Sequence, residues 1–201
     1  MTVTRSGARA KLLDAAAALF YRDGITATGI DRVIARAGVA KASLYNNFAG
    51  KDELVAAYLR SRLERFDETL TSLMAIEDPR ERIDAFFDRL ELNAASERFG
   101  GCPFSRAAVE VSLDSPAHRV IVEFYRRLGS FFAQTLGVDI EDPAVKQLVV
   151  CYNGAMTSAG VLGDPSLIGA AHDLARTSTH RHGNRIRRVT HPPLAQHEGP
   201  E

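Results

Sequence analysis

Between Thr28 and Glu53 the chain reads TGIDRVIARAGVAKASLYNNFAGKDE, and its polar side chains fall at helix-surface spacing. Lys41, Ala42, Ser43, Tyr45 and Asn46 occupy the outer side of one short segment, and Lys51 follows a few residues later. An amine and a phenol are suited to phosphate, whereas a small hydroxyl and an amide near a helix start can reach base edges. The chemistry these residues support is contact with double-stranded DNA. Lys41, Tyr45 and Lys51 are the phosphate candidates, Ser43 and Asn46 the base-edge candidates, and Ala42 keeps the approach free of bulk. Thr28 is a further phosphate candidate, although helix capping alone accounts for it. Covalent catalysis has weaker support. Neither Cys102 nor Cys151 has a His and acid relay readable from spacing, Gly100-Gly101 is too short to cradle a phosphate, and four of six histidines lie after residue 179. No cofactor, metal site or enzyme activity is expected.

Such side chains need a scaffold that presents them, and the surrounding residues describe one. Thr28-Gly29-Ile30-Asp31 reads as a capping box, the Thr28 hydroxyl accepting from the Asp31 N–H and the carboxylate reaching back. Ile30, Val33, Ile34 and Ala37 then recur at helical spacing. Gly38 permits the tight backbone at which one helix stops and another begins. The second helix, predicted over about 40–47, keeps Val39, Leu44 and Phe48 for a core. An earlier helix over about 9–23, with Leu12 or Leu13, Ala16, Leu19 and Phe20 on one stripe, supports the pair. In a helix-turn-helix of this kind the second helix enters the major groove by its N-terminal end.

Gly38-Val39, Lys41, Leu44-Tyr45, Phe48 and Lys51-Asp52-Glu53-Leu54 resemble the start of the TetR family of transcriptional regulators. The resemblance covers about the first 60 residues and is specific. It implies an all-α protein with an N-terminal three-helix DNA-binding domain and a C-terminal helical domain for ligand binding and dimerisation. It also implies a palindromic operator, a small-molecule effector and a homodimer. Ala40 and Gly50 stand where the family often has a capping serine, a loss of about 1 kcal/mol for a hydroxyl cap. Asn46 and Asn47 stand where histidine is frequent, so the operator sequence does not carry over.

The 201 residues hold 25 basic and 25 acidic side chains, a formal net charge of zero. The distribution is uneven: residues 1–51 carry eight Lys/Arg against three Asp, while residues 52–175 carry 12 basic and 20 acidic side chains. One end suits a polyanion and the middle does not. No apolar run approaches 18 residues and no secretory leader is read at the start, so a cytoplasmic protein without a membrane partner is expected. Two cysteines fit a reducing compartment.

Beyond residue 51, helical periodicity runs to about Ile76. Asp78-Pro79, Cys102-Pro103, Ser115-Pro116, Asp142-Pro143 and Asp164-Pro165 each mark a helix start, because proline suits the first position and Asp or Ser caps it. About nine helices are expected, with boundaries at 1–50 for DNA binding, 51–178 for ligand binding and dimerisation, and 179–201 as a disordered tail. The two helices within about 143–178 are apolar on more than one side, and Gly154, Ala155, Ser158, Ala159 and Gly160 permit close packing; these helices are the expected dimer contact. Phe86, Leu90, Cys102, Phe104, Tyr125, Tyr152 and Met156 combine apolar lining with a few polar handles, as ligand sites do, although ordinary core packing explains each one singly. The expected function is a ligand-responsive repressor released from its operator by a small molecule. An alternative is a redox-sensing regulator acting through Cys102, since a helix N-terminus lowers a thiol pKa.

Overall fold

A computed structural model describes residues 5–177. The predicted tail over 179–201 lies outside the described residues. The described chain is helical throughout, with no strand: α1 (Arg5–Asp23), α2 (Ile30–Ala37), α3 (Lys41–Tyr45), α4 (Lys51–Met74), α5 (Pro79–Ala94), α6 (Pro103–Ala108), α7 (Pro116–Leu136), α8 (Pro143–Leu162) and α9 (166–177).

The helix starts follow their caps. Asp78 accepts from the N–H of Arg80 at 2.7 Å, Ser115 from His118 at 3.1 Å, Asp142 from Ala144 at 2.8 Å and Asp164 from Ser166 at 3.0 Å. Cys102, the remaining residue before a proline, opens α6 with no side-chain cap. Between α2 and α3, Gly38 adopts φ 62° and ψ 39°, and its N–H donates to the carbonyls of Ile34 and Ala35. The left-handed conformation closes α2 at a residue with no Cβ to oppose it. Helix α3 is shorter than its pattern predicts, five residues rather than about eight. Its end tightens: the Asn47 N–H bonds the Leu44 carbonyl three residues back, and the Asn47 amide donates to the Ser43 carbonyl at 2.7 Å.

Packing explains the order of the elements. Leu12, Ala16, Leu19, Val33, Leu44 and Phe48 are buried among α1, α2, α3 and the start of α4. Leu54 to Leu59, six consecutive residues of α4, are all buried, so this part of α4 is covered on every side. Farther along, α4 runs against α7, where Phe66 meets Phe124 at 4.8 Å. Phe86, Phe87, Phe131 and Phe132 interlock between α5 and α7 with ring centroids 5.2–5.5 Å apart. Each buried ring of this size contributes roughly 1.5–3 kcal/mol relative to exposure.

The final helix is tied to α5. His172 stacks on Phe87 at 5.2 Å and places Nε2 2.9 Å from Asp84 Oδ1, to which Arg176 Nε also donates at 2.7 Å. The Arg176 hydrogen bond, with help from His172 and against the cost of burial, holds the Asp84 carboxyl below its ordinary value of 3.8. A carboxylate depressed on folding adds stability above its unfolded pKa and loses it as pH falls through the folded one. Asp84→Asn should therefore flatten the loss of unfolding free energy below about pH 4, as measured by urea titration at successive pH values.

Candidate nucleic-acid interface

Leu44 and Phe48 anchor α3 from below, with 0% and 2% of their surface exposed, and this fixes which residues face outward. Lys41, Ala42, Tyr45 and Asn46 are exposed, and Ser43 and Lys51 are half-buried. Tyr45 stands out at 52% exposure, a large aromatic held at the surface by a helix whose opposite side is core. The Lys41 ammonium lies 3.0 Å from Asp31 Oδ1, whose hydrogen bond raises the lysine pKa. Lys51 Nζ reaches the Thr26 carbonyl at 3.4 Å across the mouth of the α1–α2 turn. The Lys41 amine is exposed enough for its weak pairing to yield to a phosphate.

Thr28 does not belong to this surface. It is fully buried, and its hydroxyl donates to the Gly24 carbonyl at 2.7 Å. The cap of α2 is Gly29, without a side-chain bond. The expected capping box is thus corrected. The Thr28 hydroxyl closes the α1–α2 turn, and Asp31 faces Lys41 instead. The missing serine at Gly50 is compensated in a way the sequence pattern did not disclose: Glu53 Oε2 accepts the Ala49 N–H at 2.6 Å, covering the start of α4 from its third position.

The sequence pattern described as bacterial regulatory proteins of the tetR family matches residues 12–58, the segment that forms α1 to the first turns of α4. Over a longer span, the chain is 31% identical across 159 residues to the HTH-type transcriptional regulator LmrA of Bacillus subtilis (strain 168), covering 77% of this chain and 84% of that protein. The chain belongs to the TetR family. SCO4454, a TetR-family transcriptional regulator from Streptomyces coelicolor, superposes with a TM-score of 0.78 at 29% identity over 90% of this chain and 96% of its own. A shorter match, 40% identical over 63 residues and 31% of each chain, is to the HTH-type transcriptional repressor KstR2 of Rhodococcus jostii (strain RHA1).

In this TetR-family regulator the candidate ligand residues come together as an aromatic cluster. Phe104 stacks on Phe124 at 4.0 Å, and Phe124 meets Tyr125 at 5.1 Å and Tyr152 at 6.0 Å. Phe86 meets Tyr152 at 6.0 Å. Leu90 and Met156 are buried in the same core. Tyr125 is half-buried and donates to Asn153 Oδ1 at 2.7 Å, with Ser105 Oγ 2.8 Å from its hydroxyl and 3.2 Å from Asn153. Ser105 and Asn153 escaped the sequence reading. An amide in the middle of the apolar run of α8 was the signal that pointed to it.

Burial, aided by the adjacent Cys102 sulfur, drives the Tyr152 phenol well above its ordinary pKa. Cys102 itself is 1% exposed, which removes the accessible thiolate that the redox alternative requires. The small residues of α8 also divide differently from expectation. Ala155 and Ala159 pack inside the chain, and Gly160 abuts Gly100-Gly101. An open cleft of about 430 Å³ between α8 and α9 is lined by Lys146, Leu148, Val150, Cys151, Leu174 and Ala175. Among the described residues no group of three or more His, Cys, Asp or Glu is placed to hold a metal ion, and no helix is long and apolar enough to cross a membrane.

Because the Thr28 hydroxyl is a buried donor rather than a surface contact, Thr28→Val should cost about 1–3 kcal/mol of unfolding free energy. Its folded fraction should bind DNA with unchanged salt dependence, a pair of results that chemical denaturation and fluorescence anisotropy would check.

Proposed function

We propose that this chain is a homodimeric regulator that binds a roughly palindromic operator and leaves it when a small molecule binds its helical body, acting as a repressor. The observation that carries the DNA reading is the outer face of α3, where Lys41, Ala42, Ser43, Tyr45 and Asn46 face away from the Leu44 and Phe48 anchors within the basic N-terminal segment. Residues up to 50 form the reader in this reading, and residues 51–178 bind effector and partner. Two copies of α3 would sit in successive major grooves about 34–36 Å apart. The name of KstR2 supports repression.

The partner copy is assigned to α8 and α9. Val150 is 69% exposed, Val161 77%, Leu162 70% and Leu174 64%, an outward apolar surface of the kind that a subunit covers. The effector is assigned to the cluster of Phe86, Leu90, Cys102, Phe104, Tyr125, Tyr152 and Met156. Tyr125, Ser105 and Asn153 bond to one another there and none of the three is charged, which favours an uncharged effector. Release then follows from a difference in effector affinity between two separations of the reading helices.

Binding to DNA fragments from upstream of its own coding region tests the reader. Lys51→Ala, which removes one phosphate contact from each subunit of the dimer, should lower the slope of log affinity against log salt by about 1.8, and Tyr45→Ala should weaken binding at every salt concentration. Wild-type affinity and slope in both variants would remove these residues from the interface. For the dimer, Val150→Asp should shift the protein toward monomer in analytical ultracentrifugation and weaken DNA binding with it. An unshifted dimer would place the subunit contact elsewhere.

A further inference from the structure

Tyr21, in the last turn of α1, extends out of the three-helix reader and grips a segment of main chain on the body. Its hydroxyl accepts the Gly100 N–H at 2.8 Å and donates to the Gly101 carbonyl at 3.0 Å. The opposite side of the same two glycines lies against α8. A Cβ on Gly160 would stand 2.7 Å from the Gly101 nitrogen and 2.8 Å from the Gly100 carbonyl carbon, and a Cβ on Gly101 would stand 2.9 Å from the Met156 carbonyl oxygen. Gly101 also has φ +89°, where a side chain is strained. The two glycines are therefore a strap of bare backbone, held between a tyrosine of the reader and the helix assigned to the partner contact.

The surroundings keep the strap in place. Arg106 of α6 donates to the Gly100 carbonyl at 2.9 Å and lies over the Tyr21 ring at 5.4 Å, and Arg62 of α4 lies over the same ring at 5.8 Å. Just after α6, Glu110 Oε2 accepts the Thr26 N–H at 2.7 Å in the α1–α2 turn. The reader is thus held to the body at two points outside α4, and one of them is in direct contact with α8.

We propose that Tyr21 and Gly160 are positioning residues for operator recognition: acting through Gly100-Gly101 they set the orientation of the reader relative to α8, and hence the separation of the two α3 helices in the dimer. The proposal rests on the homodimeric reading above. Neither residue lies on the outward face of α3, so their effect falls on the spacing between half-sites and not on the sequence within each. Tyr21→Phe removes the grip from the reader side, and Gly160→Ala pushes the strap from the α8 side.

Selection from a random-sequence duplex DNA library, using the full chain and each variant, tests this. The unaltered chain should enrich paired half-sites at one spacing. Both variants should remain dimeric and enrich the same half-site sequence, with the spacing shifted or spread by at least about 1 bp, equivalent to about 3.4 Å along the duplex. An unchanged spacing in either folded variant overturns the proposal, as does loss of all enrichment by a folded dimer. If either variant fails to fold, the other alone decides on the same criteria. Enrichment of no paired half-sites by the unaltered chain overturns the regulator reading itself, an outcome separable from failure of the strap.

Discussion

Six consecutive buried residues in α4, Leu54 to Leu59, impose the constraint on which the rest of the architecture depends. A helix segment with no solvent-facing side must be covered by other elements all round. Here α1 supplies one wall through Phe20, and α6 lies beside Tyr58, so the small N-terminal unit shares a core with the body. One buried apolar cluster accordingly runs from Leu12 to Ala175. In close-packed interiors a displacement on one side is passed on rather than absorbed. That is the physical basis on which an event in the body can reach α3.

The reading surface shows the complementary principle. Short α3 has few backbone hydrogen bonds of its own and no hydroxyl cap at Ala40. Its place is held by the burial of Leu44 and Phe48, and the side chains it exposes contribute little to the core. The ion pair beside it, Lys41 with Asp31, is solvent-exposed and weak, while that of Arg32 with Asp23 is partly covered. A polyanion can replace the Asp31 carboxylate at little energetic cost. Residues 52–175 carry an acidic excess, so within the first 175 residues the attraction to phosphate falls to the N-terminal segment.

Much of the fold was legible because local chemistry determined it. The helix starts at Asp78, Ser115, Asp142 and Asp164 came from a cap followed by proline, and the break at Gly38 from its lack of a Cβ; the structure places these features where the pattern indicates. Thr28 was misread for a related reason. A threonine before a helix suits both a cap and a turn-closing donor, and only the approach of the Gly24 carbonyl selects between them. Cys102 likewise has the sequence context of a reactive thiol, but packing against Tyr152 in the core closes it from solvent.

By itself, the sequence determined the helical class and the helix-turn-helix, since spacing and capping act over a few residues. Tertiary structure decided what depends on distant partners. It brought Ser105, Tyr125 and Asn153 into one hydrogen-bonded set, tied His172 to Asp84, and assigned the small Gly160 to a close approach with Gly100-Gly101. Such contacts join residues 20 to 88 positions apart. They arise from how helices stack, and no periodicity within a single helix encodes them.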